Sequence, residues 1–225
     1  MGTDISMYAE VRRNKQWIKV GNKFKNEWYR KNKPIDDWNK PYTDHPYDDR
    51  NYALFAILAD VRNGVGIAGY KTSNVFNPIA EPKGLPEDIT DEVREELEDY
   101  GYGYSYFTLK ELKDYDWNQI VMHFGVISEE QYIKMKETGK NPDCWSLDII
   151  LRDIAIVSAD TMDKILAKTI DRNHNIRYYV QTYFKPVTYK DCCLKFYEDT
   201  MSDLELLIPK GGTDEDVRII FAFDC

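Results

Sequence analysis

The sequence predicts an α+β fold: a mixed or antiparallel sheet closed by the N- and C-terminal strands, with helices packed on it. Three observations carry this. Ile5, Met7, Ala9 and Val11 alternate with Asp4, Ser6, Tyr8 and Glu10, and Val217, Ile219, Phe221 and Phe223 alternate in the same way near the other end. That period of two marks strands with one buried face. Helix signals fill the middle of the chain without regular strand–helix alternation, which separates α+β from doubly wound folds. A hydrophobic content of 43% and an aromatic content of 14% over 225 residues supply a core and exclude disorder.

Taken in order, Asn14-Lys15 reads as a turn returning the chain into Trp17–Val20 as a hairpin partner. Residues 22–49, with Pro34, Pro41 and Pro46, read as a long irregular excursion. Tyr52 to Val61 is expected to be a buried helix stopped by Gly64, followed by a loop-rich stretch over 64–88. Thr90 caps an acidic helix ending near Tyr100. Thr108-Leu109-Lys110-Glu111 and Ser128-Glu129-Glu130-Gln131 are capping-box patterns that open two further helices. Residues 145–157 fit strand or helix. Ser158–Ile170 reads as helix, Ile176–Phe184 as strand, and Tyr189–Leu207 as the longest helix. The terminal strands imply a single domain over 1–225, with a sub-boundary near Asn141-Pro142.

The net charge of −9 argues against long nucleic acid as a partner, whose affinity comes from cations neutralising phosphates. A small anionic ligand is compatible with it, because a local cluster of Arg and Lys makes a positive pocket on an acidic protein. Cys144, Cys192, Cys193 and Cys225 show no C-x-x-C spacing, so reduced thiols and no structural zinc are expected. Met1–Asp4 lacks a signal pattern and no apolar run approaches a membrane span, giving the expectation of a cytoplasmic chain with no membrane partner. Gly64-Val65-Gly66-Ile67-Ala68-Gly69 matches G-x-G-x-x-G, but the dinucleotide site needs a strand before it and a helix after it, and neither is predicted. His45 among Asp44, Asp48 and Asp49 reads as solvated turn residues rather than a metal site. Cys192 reads as a buried thiol. No catalytic residue, metal ligand or cofactor is assigned.

The candidate site starts from two Arg-Asn pairs, Arg50-Asn51 and Arg62-Asn63, at opposite ends of one apolar segment. At 1.5 Å per residue they lie about 18 Å apart along a helix, a span for a ligand of dinucleotide size. The run Tyr100–Phe107 alternates Gly with Tyr, offering close backbone approach and stacking rings; a strand burying its tyrosines fits equally well. The expected ligand-binding set is Arg50, Asn51, Arg62, Asn63, Lys83, Tyr102, Tyr104 and Ser105. The arginines would meet phosphates, Asn63 a base or ribose, and the tyrosines would stack. Two alternatives stand beside it. Asp4, Glu10, Glu87 and Asp88 could serve a Mg²⁺-dependent hydrolase or phosphodiesterase. The acidic helix with Glu92, Glu95, Glu96 and Glu98 could face a host protein as an inhibitor.

The motifs Arg50-Asn51-Tyr52-x-Leu54-Phe55-x-Ile57-Leu58-Ala59-x-Val61-Arg62-Asn63, Gly84-Leu85-Pro86-Glu87-Asp88, Ser105-x-x-Thr108-Leu109 and Val217-Arg218-x-x-Phe221-x-Phe223-Asp224 together resemble a family of uncharacterised phage and bacterial proteins. The pattern spans essentially the whole chain. It departs from that family at Ser6, Tyr102 and Tyr104, where many relatives carry His. The resemblance implies a phage accessory protein acting in the host cytoplasm, which binds and sequesters a small phosphorylated nucleotide of host immune signalling. A homo-oligomer is also expected, because Trp17, Trp28, Tyr29, Trp38, Tyr42 and Tyr47 lie in or beside the irregular 22–49 segment, and exposed aromatics are enriched at interfaces.

Overall fold

The computed structural model describes residues 2–36, 39–65, 74–98, 101–140 and 153–224. In chain order the elements begin with strands β1 (Asp4–Arg13), β2 (Gln16–Lys19), β3 (Phe24–Lys25) and β4 (Tyr42–Thr43), then helices α1 (Tyr52–Ala59) and α2 (Asp91–Glu98). Next come β5 (Tyr102–Thr108), α3 (Leu109–Asp114), β6 (Ile120–Ser128), α4 (Glu129–Thr138), β7 (Ile154–Ser158), α5 (Ala159–Leu166) and β8 (Arg177–Thr188). The chain closes with α6 (Tyr189–Cys192), a π-helical turn (Phe196–Thr200), α7 (Met201–Glu205), a 3-10 turn (Asp214–Asp216) and β9 (Val217–Asp224). These elements group into two compact units. One comprises 1–63, 76–119 and 189–225; the other comprises 64–75 and 120–188 and interrupts the first in sequence. Asn141-Pro142, the sub-boundary read from the sequence, lies outside the described residues, as do 66–69 of the glycine motif, 145–152 and Trp38.

The first unit carries a fully antiparallel sheet in the order β2-β1-β9-β5. The two terminal strands pair at its centre, from Asp4↔Asp224 to Val11↔Val217, as the alternation predicts. Their burial differs from the one-sided expectation. On one face Tyr8, Ile220 and Ala222 pack with Ile89 and with Val93 and Leu97 of α2. On the other, Phe223 meets Phe55 of α1 at 5.1 Å and Phe221 stacks on Phe107. Strands covered on both faces lose the polar half of the alternation; here Ile220 and Ala222 replace it. Leu54 to Ala59 are all buried, as expected of a helix that is apolar all round.

Local chemistry sets the turns. Asn14 (φ 51) and Lys15 (φ 67) are both left-handed, the type I′ conformation that suits the strand twist of a two-residue hairpin. In β5, Gly103 (φ +69) accompanies a register shift between Tyr102 and Ser105. A Cβ at Gly103 would stand 2.9 Å from the Phe223 ring, so the bulge needs glycine.

Thr108 and Ser128 form the predicted capping boxes, and Ser158 caps α5 by accepting from Thr161 N–H. Four strands, β5 to β8, run directly into helices at Thr108, Ser128, Ser158 and Thr188. Two helix limits depart from expectation. Helix α1 ends at Ala59 with Asp60 (φ 57) as its left-handed cap, so Gly64 is not the stop. The stretch Tyr189–Leu207 is helical in kind but not one regular α-helix: α6 ends at Cys192, whose carbonyl accepts from Asn51 Nδ2 at 2.9 Å. The chain then passes through the π-helical turn at Phe196–Thr200 into α7.

In the second unit, β8 lies between β6 and β7, antiparallel to the first and parallel to the second. Ile127, Tyr132, Met162, Ile165, Tyr178 and Val180 form its core beneath α4 and α5. The excursion over 22–49 is more ordered than expected. β3 pairs with β4, and the Asn39 amide donates to the carbonyls of Arg30, Lys33 and Pro34 while accepting from Arg30 N–H. Trp28, Ile35 and Tyr42 are exposed on it and Tyr47 is buried. Among the described residues no helix is long and apolar enough to cross a membrane.

Candidate anion-binding site

The sequence-predicted residues all belong to the first unit, and most are engaged by the chain itself. Arg50 grips Asp4 with two nitrogens, at 2.8 and 2.5 Å, and this contact holds the Asp4 carboxyl below its usual range. Arg62 donates from Nε to Thr3 Oγ1 at 2.8 Å and lies over the Tyr52 ring. The two arginines therefore reach adjacent residues at the start of β1. The polar groups expected from a ligand are supplied by Thr3 and Asp4.

Asn51 is the N-cap of α1, accepting from Ala53 and Leu54 N–H. Asn63 braces Phe76 through both its N–H and its carbonyl. Lys83 pairs with Glu111 at 2.5 Å and sits over Phe107. Ser105 is buried and accepts from Lys83 N–H. The bulge at Gly103 separates the tyrosines: Tyr102 stands beside Phe223 and near Thr3, whereas Tyr104 packs against the Tyr8–Val93–Leu97 core. Successive core residues of β9 face opposite sides, so the two rings do not sandwich one ligand.

The alternative sets disperse as well. Glu10 and Asp88 both bind Arg218, while Asp4 is at the far end of β1, six residues and about 20 Å from Glu10. Asp44 pairs with Lys19, Asp49 with Lys195, and His45 Nδ1 contacts the Met7 carbonyl. Among the described residues no group of three or more His, Cys, Asp and Glu could hold a metal ion. On α2, Glu96 accepts from Tyr8 and Lys19 while Glu92 and Glu95 face solvent.

The geometry instead brings together residues far apart in sequence. Because β1 and β9 are antiparallel, the β1–β2 turn lies beside the segment that leads into β9. Arg12, Arg13, Asn14 and Lys15 line a cleft of ≈ 730 Å³ with Pro209, Lys210, Gly211, Gly212 and Asp216, within the size range of small-ligand sites. Four cations face one carboxylate. Arg13, Lys15 and Lys210 are exposed and make no ion pair among the described residues. Gly212 N–H donates to the Pro209 carbonyl at 2.8 Å, and Gly211 has φ +82, a tight turn with glycine where the left-handed residue is required. Lys15 holds its left-handed conformation without that freedom, at a cost of about 1 kcal/mol; strain of this kind collects at functional positions.

Asp216 is tied in place. Its Oδ2 accepts from Thr213 N–H at 2.8 Å and its Oδ1 from Arg12 Nε at 2.8 Å. The Thr213 bond first, and then Arg12, hold its carboxyl below the usual range. The cleft thus offers charge neutralisation and N–H donors to an anion. A smaller cavity of ≈ 280 Å³ in the same unit has the opposite character. Glu27, Asp48, Asp199 and Asp203 line it with Lys25, Lys195 and His45, and Lys195 is already shared by Glu27 and Asp49. Asp203 is pushed up by desolvation and by Asp199.

Sequence reasoning takes Asn14-Lys15 as a turn and passes over the basic run Arg12-Arg13-Asn14-Lys15 and the Lys210-Gly211-Gly212 segment. Each is a readable signal, but only the strand register joins them. No protein family, curated protein or solved structure matches this chain.

Proposed function

We propose that this protein binds and sequesters a small phosphorylated, nucleotide-type ligand in the basic cleft, holding it without cleavage. The supporting observation is the lining of that cleft: Arg12, Arg13, Lys15 and Lys210 against Asp216 alone, on a chain of net charge −9. Such a cluster concentrates anions locally whatever the net charge. Phosphate recognition thereby moves from Arg50 and Arg62, whose polar partners lie within the chain, to the hairpin tip and the glycine turn. The reading of a phage accessory protein in the host cytoplasm rests on the sequence pattern.

Titration calorimetry with inorganic pyrophosphate and with ADP at low ionic strength tests this. The expected result is saturable binding that weakens steeply toward physiological salt, where the screening length is about 8 Å, and recovery of intact ADP after denaturation. Absence of binding by both probes, or recovery of cleaved ADP, overturns it. Lys15→Gly is expected to raise the thermal midpoint by relieving the left-handed lysine, a gain of about 1 kcal/mol, while weakening pyrophosphate binding. A variant that binds as well as the parent removes Lys15 from the site.

The proposal includes self-association through the exposed Trp28, Ile35 and Tyr42 of the 22–49 segment. Light scattering at micromolar concentration is expected to give a mass well above 26.5 kDa, falling in a Trp28→Ser/Tyr42→Ser double variant. A monomer in both refutes it.

A further inference from the structure

We infer that Asp216 is a positioning residue: it holds Arg12 side-on so that the terminal guanidinium nitrogens recognise a phosphate edge-on through two oxygens. This rests on the reading of the cleft as a phosphate site. The contact between the two runs through Arg12 Nε alone, at 2.8 Å. Arg12 Nη1 and Nη2 make no hydrogen bond among the described residues. The guanidinium also lies 5.3 Å from the centre of the Trp17 ring. One edge and one face of the group are thereby fixed, and the fork that matches a tetrahedral oxyanion is left over.

The other end of Asp216 is equally defined. It belongs to the capping box of the 3-10 turn, with Thr213 as N-cap. A Cβ at Gly212 would approach its Oδ2 to 3.0 Å, so the glycine turn leaves room for the carboxylate where it stands. With Oδ2 taking the Thr213 N–H and Oδ1 taking Arg12 Nε, much of its charge is met internally. A carboxylate that merely occupied the anion site would take two guanidinium nitrogens with its two oxygens, as Asp4 takes Nε and Nη2 of Arg50; Asp216 takes Nε alone and leaves both terminal nitrogens over. Supporting contacts of the side-on kind are what fix a recognising group within the tolerance that binding needs. The ligand class follows: a terminal phosphate or diphosphate presenting two oxygens on one edge.

The test is a double-mutant cycle on pyrophosphate affinity with Asp216→Asn, Arg12→Lys and both together. The amide keeps an oxygen for Thr213 N–H, and the thermal midpoint of each variant checks that the fold is kept. Each single change is expected to weaken pyrophosphate about tenfold, the scale of one charge-assisted hydrogen bond. The double variant should be no weaker than the worse single one, because lysine has no fork to aim. A merely structural Asp216 would leave the effect of Arg12→Lys unaltered. Equal or tighter binding by Asp216→Asn, or multiplying losses in the double variant, overturns the inference while the cleft still binds. Failure of the parent protein to bind pyrophosphate removes the cleft reading, and this inference with it.

Discussion

Arg218→Ala is expected to lower folding stability by about 3–5 kcal/mol, the cost of leaving a buried charge without its partner. Arg218 and Glu10 face each other across β1 and β9. The guanidinium lies 2.7 and 2.6 Å from Glu10 Oε2 through Nε and Nη2, reaches Asp88 Oδ1 through Nη1 at 2.7 Å, and covers the Trp17 ring at 4.0 Å. Both partners are buried, at 3% and 0% exposure. The alanine variant leaves the Glu10 carboxylate with only the Thr90 N–H and hydroxyl, inside the unit. The loss is a large share of the roughly 5–15 kcal/mol that holds a typical domain together. Replacing the pair with Glu10→Leu and Arg218→Met is expected to cost much less, since apolar groups of similar volume need no desolvation. Urea titration of the three proteins checks this. A midpoint for Arg218→Ala within about 1 kcal/mol of the parent, or a double variant as weak as the single one, would show that the pair does not carry the stability assigned to it.

Arg13→Glu with Lys210→Glu is expected to weaken pyrophosphate and ADP binding at least about 100-fold, with circular dichroism and thermal midpoint unchanged. Both side chains are exposed, and neither has an ion pair to lose among the described residues. The reversal replaces attraction by repulsion on both walls of the cleft, a change worth several kcal/mol to an anion. The companion Arg50→Glu change, outside the cleft, is expected to leave affinity within about twofold and serves as the charge control. Retained affinity in the cleft variant, or an equal loss in the Arg50 variant, would place the anion elsewhere.

The fold was more legible than the site, for a physical reason. Alternation at Ile5–Val11 and Val217–Phe223 reports burial on a strand, and strands at both ends need one another. Thr108 and Ser128 are legible because a capping box is a local bond pattern. The two-sided burial of β9 is less so, because Ile220 and Ala222 announce apolarity but not which helix covers them. Arg50 and Arg62 misdirect for the same reason that Asn51 and Asn63 do: the groups that grip a ligand also finish helix ends and anchor strands. Their partners Thr3 and Asp4 stand tens of residues away. The cleft is the extreme case. A segment read only as a turn and one passed over acquire a joint meaning only through the register Val11↔Val217.

That register also governs when the protein can exist as a working object. The central pairing joins residues as far apart as Asp4 and Asp224, and closing a loop that long is entropically slow. During synthesis β1 waits without its central neighbour until residues 217–224 have emerged, while residues 120–188 hold a sheet of their own that can close meanwhile. The apolar face of β1, Ile5, Met7, Ala9 and Val11, stays uncovered for that interval and is the surface that chaperones must shield. The cleft exists only after β9 has docked, so the proposed ligand would bind no species that precedes that pairing. The proposed ligand's binding energy would therefore draw the slow, long-range step to completion rather than tighten a single loop.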